Sequence, residues 1–520
     1  MGPARPAGRL RRSARSGRPA VGYALVVAGI LLSPLVLVVL DARSAGWSQI
    51  HAVLFRQRSA MLLRHTLVLT GLVVACGGAI GLTTAWITER SALPFRRVWT
   101  VLLMLPLAMP DFVVGWTWHA LRPRIDPLFG ATLVMTLGTY PLIHLPVAAA
   151  LRRADPGLED VARSLGSGRV ATFRRVSLPQ VVGPLAGGAV LVALTVISEY
   201  GAFEVLRYPT FTTEVFTQFR FRPAAAGALS IPLVLIGLLL LCGEGLVTRG
   251  CARARGVVRS RPPRGRWWRA LPLALVPTAL VGLGVVLPVA SLARWIHQSR
   301  RSTLPATATL MQATLTTVRY SAIAAAVCVV AALPVAMLSF RRRSRTRAAL
   351  ERASFVTRAV PGVVIALSLV FFATRWAFGI YQTGYLLVLA YVIIHFPLAL
   401  VCLRAATERV PPTLIDTGAS LGRSAPTVFR RVTLPLIAPG LAAGFCLVFL
   451  TAATELTATL VLAPIGTETL ATQFWAYQNE IAYSSAAPYA LTIVALSVLP
   501  GTLLALWFDR ESNRTERAAR

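Results

Sequence analysis

The chain alternates long apolar runs with short polar segments that carry most of the arginines. Runs of about twenty apolar residues, the length that crosses a bilayer as a helix, lie near 20–40, 65–87, 98–119, 129–150, 180–203 and 227–247. A second set lies near 270–291, 313–340, 355–374, 384–403, 436–462 and 487–508. The pattern therefore predicts an all-α membrane protein with twelve transmembrane helices, six in each half.

One polar stretch occurs twice. Residues 160–179 read DVARSLGSGRVATFRRVSLP and residues 416–435 read DTGASLGRSAPTVFRRVTLP, so ten of the twenty positions are identical at a constant offset of 256. Each copy follows the fourth predicted span of its half. Upstream, PDFVVG from Pro110 aligns with PGVVIA from Pro361 at an offset of 251. The chain is therefore predicted to contain two copies of one six-span unit in the same orientation.

These repeats give a domain organisation of five segments. They are a basic tail (1–19), a first repeat (20–247) with its polar loop at 152–179, a basic linker (248–268), a second repeat (269–508) with its polar loop at 404–435, and a short tail (509–520).

Composition and charge fit a membrane protein. The chain is 55% hydrophobic with a mean hydropathy of +0.65. A formal charge of +33 would suggest nucleic acid in a soluble protein, but here the arginines lie in short segments between spans, so no nucleic-acid partner is expected. Segments on one side hold 39 arginines against 13 on the other. The positive-inside rule then places both termini, the linker and both repeated loops in the cytoplasm, with lipid around the spans.

Each repeated loop has a regular internal order. We predict a short helix from the acidic residue to the glycine, a turn at the glycine, and a Leu-Pro pair that starts the next span, where proline costs no hydrogen bond. An ordinary basic loop would explain the arginines but not this duplicated spacing. The two loops are therefore predicted to be functional.

The two loops share one pattern: an acidic residue, a small residue two positions later and a glycine four positions after that. Nine further residues then lead to Ile/Val-x-Leu-Pro. This pattern resembles the EAA loop of permease subunits in binding-protein-dependent ABC importers. In that family the helix before the glycine couples the permease to a cytoplasmic ATPase. The matching residues are Asp160, Ala162, Gly166, Val176, Leu178 and Pro179, then Asp416, Gly418, Gly422, Val432, Leu434 and Pro435. Two departures occur: aspartate replaces the usual glutamate, and the Ala-Ala pair is Val161-Ala162 or Thr417-Gly418.

The resemblance implies a set of partners. It predicts a bacterial cell-membrane permease that works with two copies of an ABC ATPase subunit and an extracytoplasmic substrate-binding protein. The chain contains no GxxxxGK[ST] phosphate loop. It is therefore expected to be a transport subunit and not an enzyme, without catalytic residues or a cofactor of its own, since ATP and Mg²⁺ belong to the partner ATPase.

The substrate is less constrained than the class. Two permease units fused in one chain resemble the ferric-iron and thiamine permeases, and the segment 198–216 is most similar to the iron branch. Ferric iron is the first expectation, and thiamine, a phosphonate or a polyamine stay open. An ion-coupled secondary carrier also has twelve spans in two halves, but it leaves the duplicated loop unexplained. A membrane-embedded enzyme would need converging catalytic groups, which the sequence does not offer.

Two carboxylates fall on equivalent positions inside apolar spans. Glu199 and Glu455 are related by the same offset of 256, and burial of a carboxylate in a span costs a few kcal/mol. We predict that both line the translocation path, whereas a structural hydrogen bond or a position at the outer interface remains the alternative. His144 and His395 also repeat, but they read as packing residues, and the cysteines show no metal-ligand spacing. No metal site is expected.

The predicted outer face has two longer loops, 204–226 and 463–486, at matching places in the two halves. Both mix aromatic, threonine and acidic residues. The composition suits a docking surface or short helices, and plain connectors are an equal alternative.

Overall fold

The computed structural model describes residues 18–251, 267–299, 304–341, 353–354, 356–498 and 501. These residues form helices and turns, and none of them lies in a strand, which agrees with the all-α prediction. The two tails and the linker lie wholly or largely outside the described residues.

Nine helices of the described part are long and apolar enough to cross a membrane. They are Gly22–Ser44, Gln57–Arg90, Pro127–Arg153, Val170–Ser198, Ala225–Gly243, Leu271–Gln298, Thr307–Met337, Gly384–Thr407 and Ala425–Ala453. The predicted ninth and twelfth spans correspond to the shorter apolar helices Gly362–Trp376 and Tyr483–Val498, beside segments that are not described. The count of twelve therefore stays a prediction.

The third predicted span is not one straight helix. It consists of Arg96–Ala108 and Asp111–Leu121, bent by 86°. The second piece begins directly after Pro110, as Gly362–Trp376 begins directly after Pro361. Proline cannot donate the helical hydrogen bond and pushes the preceding residue toward an extended conformation. The repeated motif at Pro110 and Pro361 thus marks a helix start inside each repeat.

The two longer loops of the predicted outer face contain helices. The first loop forms Gly201–Val205 and Phe211–Phe221, and the second forms Thr457–Leu462 and Leu470–Asn479. In both loops the longer helix starts with a capping box of two threonines, in which each side chain bonds the backbone N–H of the other. The loops are therefore structured segments and not plain connectors.

The chain divides into two compact units that do not follow the order of the sequence. The larger unit comprises Asp41–Thr314, Ala359–Val364 and Glu468–Arg520, and the smaller unit comprises Met1–Leu40, Leu315–Arg358 and Ile365–Thr467. The larger unit holds the first repeated loop and the smaller unit holds the second. Each unit thus combines segments from both halves of the chain.

The core of the larger unit is a close packing of three helices around Ile143. A Cβ atom at Gly81 would lie 2.8 Å from Ile143 Cβ, and one at Gly188 would lie 2.8 Å from Ile143 Cα. Small residues allow helices in a membrane to approach this closely, where dispersion contacts replace the hydrophobic effect as the main attraction. The packing fixes the helix that follows the first repeated loop.

The core of the smaller unit repeats this arrangement. Gly444, the counterpart of Gly188, faces the preceding long helix, where an added Cβ would lie 3.0 Å from Leu403 Cδ1. The first helix of the described residues completes this unit. Its Ala24 and Leu31 are buried with Cys328, and Pro34 accepts a hydrogen bond from Ser368 Oγ at 3.2 Å.

Candidate functional site: two exposed loop helices

The first repeated loop contains the helix Pro156–Ser164, called the first loop helix below. Asp155 caps its N-terminus and accepts a hydrogen bond from the N–H of Gly157 at 2.8 Å. The helix ends at Gly166, which has φ +82°, and the N–H of Ser167 donates to the carbonyl of Ala162 at 3.0 Å. This helix begins four residues before the predicted start at Asp160, because Asp155 and Pro156 supply the cap and the first turn.

The second loop helix, Pro412–Ser420, ends in the same way. Gly422 has φ +71°, and the N–H of Arg423 donates to the carbonyl of Gly418 at 3.1 Å. Apart from the adjoining residues of the chain, no atom of the described structure lies within 4 Å of a Cβ built at Gly166 or Gly422. Glycine is therefore needed for its left-handed backbone and not for space. The turns predicted at both glycines are present.

After each turn, the Phe-Arg-Arg-Val segment forms a π-helical turn, Phe173–Ser177 in the first loop and Phe429–Thr433 in the second. The following proline, Pro179 or Pro435, has no N–H for the carbonyl four residues earlier, and its ring crowds that carbonyl. A wider turn relieves the conflict while the helix continues into the span. The sequence predicted that the span starts at Leu-Pro, whereas helical structure already begins upstream of it.

The structure places the predicted loop residues on two kinds of surface. The acidic residues, turn glycines and prolines are exposed, whereas the small and apolar residues are half-buried. The exposed group is Asp160, Gly166, Pro179, Asp416, Gly422 and Pro435, and the half-buried group is Ala162, Val176, Leu178, Gly418, Val432 and Leu434.

Both loop helices also expose large apolar side chains that the sequence interpretation did not single out. Leu165 is 80% exposed and Leu421 is 73% exposed, at equivalent positions directly before the turn glycine. Leu158 and Leu414, one further pair of equivalents, are exposed as well. An apolar stripe on an exposed helix suits insertion into a groove of another protein. The signal was available, since the Leu-Gly pair is among the identical positions of the repeat.

The first loop helix is fixed to the end of the long helix Gln57–Arg90. Glu159 is buried, and its Oε1 accepts hydrogen bonds from Arg90 Nε at 3.1 Å and from Ser177 Oγ at 3.0 Å. Phe173 packs edge-on against Trp86 of the same long helix, with ring centroids 5.0 Å apart. The loop helix is therefore linked by direct contacts to this helix and to the span that follows Ser177.

A second carboxylate continues the network beside Arg90. Glu89 is buried and forms ion pairs with Arg152, at 2.8 Å, and with Arg96. These residues lie at the ends of three different helices, so one carboxylate joins the second, third and fourth predicted spans where they meet the first loop. Buried carboxylates are stable only when such partners compensate their desolvation.

The second loop helix is held differently. Position 415, which corresponds to Glu159, is an isoleucine, so this loop has no carboxylate at that place. Instead Gly418 lies against Val428, and an added Cβ would approach Val428 Cγ2 to 2.8 Å. The first loop has Ala162 at the position of Gly418. The two loops share their backbone but use different contacts to fix it.

Glu199 and Glu455 occupy equivalent breaks at the end of the fifth and eleventh predicted spans. The helices end at Ser198 and Ala453, short of the predicted 203 and 462, and a short helix follows each break. Glu199 Oε1 accepts from the N–H of Ala202 at 2.9 Å, and Glu455 Oε1 accepts from that of Ala458 at 3.1 Å. Each carboxylate thus caps the short helix, and each residue remains partly accessible. The structural hydrogen bond given above as the alternative is thus present for both carboxylates. That they line the translocation path stays a prediction.

Aromatic side chains of the larger unit lie next to Glu199. The ring of Tyr200 is 4.2 Å from that of Phe216 and 5.5 Å from that of Trp475, and all three are buried. Because Phe216 and Trp475 belong to the two capped loop helices described above, one helix from each loop packs against the segment that follows the fifth predicted span.

The repeated histidines are packing residues in the described structure. His144 is fully buried, and its Nδ1 lies 2.9 Å from Thr84 Oγ1. Among the described residues, no three or more His, Cys, Asp or Glu side chains are grouped as metal ligands would be.

A helical membrane protein with two repeats, each presenting a glycine-terminated helix with exposed apolar residues, has the features of a transporter permease driven by a separate subunit. Comparison with known families agrees. The model of the binding-protein-dependent transport system inner membrane component matches residues 77–250 and again residues 328–515, and the chain belongs to this family. It is thus a multi-pass membrane protein of a class that works with a binding protein and an ATPase.

Similar proteins transport different solutes. The chain is 34% identical over 483 residues to the Fe(3+)-transport system permease protein FbpB 2 of Haemophilus influenzae, which covers 91% of this chain and 95% of that protein. It is 28% identical over 193 residues to the sulfate transport system permease protein CysT of Salmonella typhimurium, or 34% of this chain and 70% of that protein. A probable molybdenum ABC transporter permease of Haloferax volcanii is 29% identical over 242 residues, or 42% and 86%.

Proposed function

We propose that the chain is the permease of an ATP-driven importer for ferric iron. The observation that carries this proposal is the similarity to the Fe(3+) permease over nearly the full length of both chains, whereas the sulfate and molybdenum permeases match only part of this chain. Thiamine, a phosphonate or a polyamine is the alternative cargo of the same machinery.

In this proposal two copies of a cytoplasmic ATPase bind the two loop helices. The exposed Leu165 and Leu421 enter grooves on the ATPase, and the loops and both termini face the cytoplasm, which the arginine asymmetry supports. ATP and Mg²⁺ bind the ATPase. Closure of the ATPase pair on ATP draws the two loop helices together and drives the repeats from inward-open to outward-open, and hydrolysis resets them.

The cargo path would contain the carboxylates at the two helix breaks. Each of Glu199 and Glu455 uses one oxygen to cap a short helix, while the residue stays partly accessible. Asp111, at the start of the helix after the bend, adds a third carboxylate near Glu199, and the like charges of the two repel each other when both are ionised. Carboxylate oxygens suit a hard cation in transit.

The test is uptake by the complete complex in proteoliposomes. We expect iron uptake that needs ATP inside, the partner ATPase and the iron-loaded binding protein. Uptake of thiamine, sulfate or molybdate in place of iron would refute the cargo while retaining the class. Uptake driven by an ion gradient without the ATPase would instead establish a secondary carrier.

A further inference from the structure

The end of the larger unit that lies away from the first loop helix contains a cleft of ≈ 460 Å³, whose largely apolar wall carries a few charged side chains. Arg64 and His65 line it from the start of the long helix Gln57–Arg90, and Arg207, Tyr208 and Asp126 complete the wall. Arg64 is 26 residues before Arg90, about 40 Å along a helix. The cleft therefore lies on the membrane side opposite to the loop helices.

The backbone at Arg207 is the unusual feature of this cleft. Arg207 has φ +55°, the left-handed region that a side chain disfavours, and it stands three residues before the threonine that starts the capping box. The corresponding turn in the second repeat, three residues before its capping-box threonine, has Gly466 with φ +80°. Glycine is the unstrained solution for this turn. The first repeat instead holds an arginine there, and residues kept in such a conformation concentrate at functional sites.

Within the described part of the chain, the two arginines of the cleft have no ion-pair partner. Arg64 and Arg207 are both exposed, and neither forms a salt bridge within the described residues. By contrast, the neighbouring Arg58 pairs with Glu214 at 2.7 Å. Asp126 is the one carboxylate among the residues that line the cleft. It caps a helix, because its Oδ1 accepts a hydrogen bond from the N–H of Phe129 at 2.8 Å.

Contacts of His65 fix the part of the cleft wall between the two arginines. The His65 ring stacks on Tyr208 with centroids 5.3 Å apart, and His65 Nδ1 lies 3.2 Å from the carbonyl oxygen of Pro209. Burial raises the pKa of Tyr208, while Arg64 lowers it and Asp126 raises it. Arg64 and Asp126 are thus both close enough to the Tyr208 ring to influence its ionisation. The contacts that fix the wall of the cleft do not use the guanidinium group of either arginine.

We propose that this cleft is the place where the first repeat receives an acidic surface of the extracytoplasmic binding protein, with Arg64 and Arg207 pairing with its carboxylates. The inference rests on the proposed function, because it needs a binding protein on this face. The second repeat has Leu315 and Gly466 at the corresponding positions. The acidic lobe of the binding protein therefore faces the first repeat, and the docked orientation is unique.

The test uses the complete permease–ATPase complex in nanodiscs of zwitterionic lipid. Arg207→Gly introduces the residue of the second repeat and removes the strain, so the fold is retained, and Arg64→Gln removes the other charge. The control is Arg375→Gln, an exposed arginine that stacks on Phe371 in the smaller unit. We expect the double variant to raise the Kd for the loaded binding protein at least tenfold and to reduce its salt dependence. Its ATP hydrolysis without binding protein should match that of the wild type.

The outcomes separate this inference from the proposed function. Wild-type affinity and salt dependence in the double variant, with normal stimulation of the wild type by the binding protein, would overturn the docking cleft alone. A defect that appears only in anionic nanodiscs would identify lipid headgroups as the occupant and would also overturn it. A wild-type complex that the binding protein neither binds nor stimulates would refute the proposed function first.

Discussion

Replacement of Glu159 by glutamine should weaken the mechanical link between the first loop helix and the membrane helices while leaving the docking surface in place. The Glu159 side chain is 7% exposed and that of its partner Arg90 is 9% exposed, so the pair is shielded from water. The exposed Leu165 on the same helix is untouched by the change. The variant therefore separates ATPase docking from transmission.

The magnitude follows from the contacts that are lost. Removal of one partner from a buried ion pair costs about 3–5 kcal/mol. Glutamine keeps an amide oxygen that can accept from Arg90 Nε, so a loss of about 2 kcal/mol is expected, within the range for hydrogen bonds to charged groups. At about 1.4 kcal/mol for each factor of ten, the anchored arrangement of the loop becomes roughly thirtyfold less favoured.

The assay measures iron import and ATP hydrolysis in the same proteoliposomes. We expect hydrolysis to be largely retained and the number of ions imported per ATP to fall several-fold. Glu408→Gln is the control, because Glu408 forms an exposed pair with Arg404 at 2.8 Å. Surface pairs contribute about 0–1 kcal/mol, so the control ratio should not change.

A double-mutant cycle tests whether the pair acts as a unit. Arg90→Gln should give the same fall in the transport ratio, and the double variant should be little worse than either single variant. An unchanged ratio in Glu159→Gln would refute the transmission role. Additive defects, or loss of the bound ATPase in proportion to transport, would show a general structural role instead.

Three further predictions concern the loop backbone and its exposed face. Gly166→Val with Gly422→Val forces a branched residue into a left-handed turn at about 1–2 kcal/mol each, and should reduce co-purified ATPase while membrane insertion is normal. Gly418→Ala places a Cβ 2.8 Å from Val428 Cγ2, and its transport defect should be rescued by Val428→Ala. Leu165→Asp should abolish ATPase binding at that loop, and a wild-type level of bound ATPase would contradict the groove insertion.

Sequence signals that act locally were enough to predict the helical class, the repeat and the ends of the loop helices. A run of apolar residues reports a span because the bilayer fixes its length. Gly166 and Gly422 report a turn because a left-handed backbone disfavours a side chain, and their φ values of +82° and +71° agree with that reading. The position of these features depends on a few neighbouring residues only.

Features that depend on distant contacts could not be predicted in the same way. The pairing of Glu159 with Arg90 joins positions 69 residues apart, and nothing near either residue in sequence indicates the partner. The breaks at Glu199 and Glu455 were expected to be continuous helix, because an apolar run shows no end where a carboxylate instead caps a new helix. The left-handed turn at Arg207 could not be predicted either, because arginine is uncommon in that backbone conformation.

The features specific to the first repeat lie at the two ends of one helix. Arg64 and His65, near the start of Gln57–Arg90, line the proposed docking cleft, and Arg90, at its end, holds the first loop helix. In the proposed function, this helix of about 50 Å joins the side that receives the binding protein to the side that binds the ATPase. A permease built from two identical subunits would carry these contacts twice. Fusion of both repeats in one chain allows one repeat alone to carry them, and the other repeat has Leu315 in place of Arg64 and Ile415 in place of Glu159.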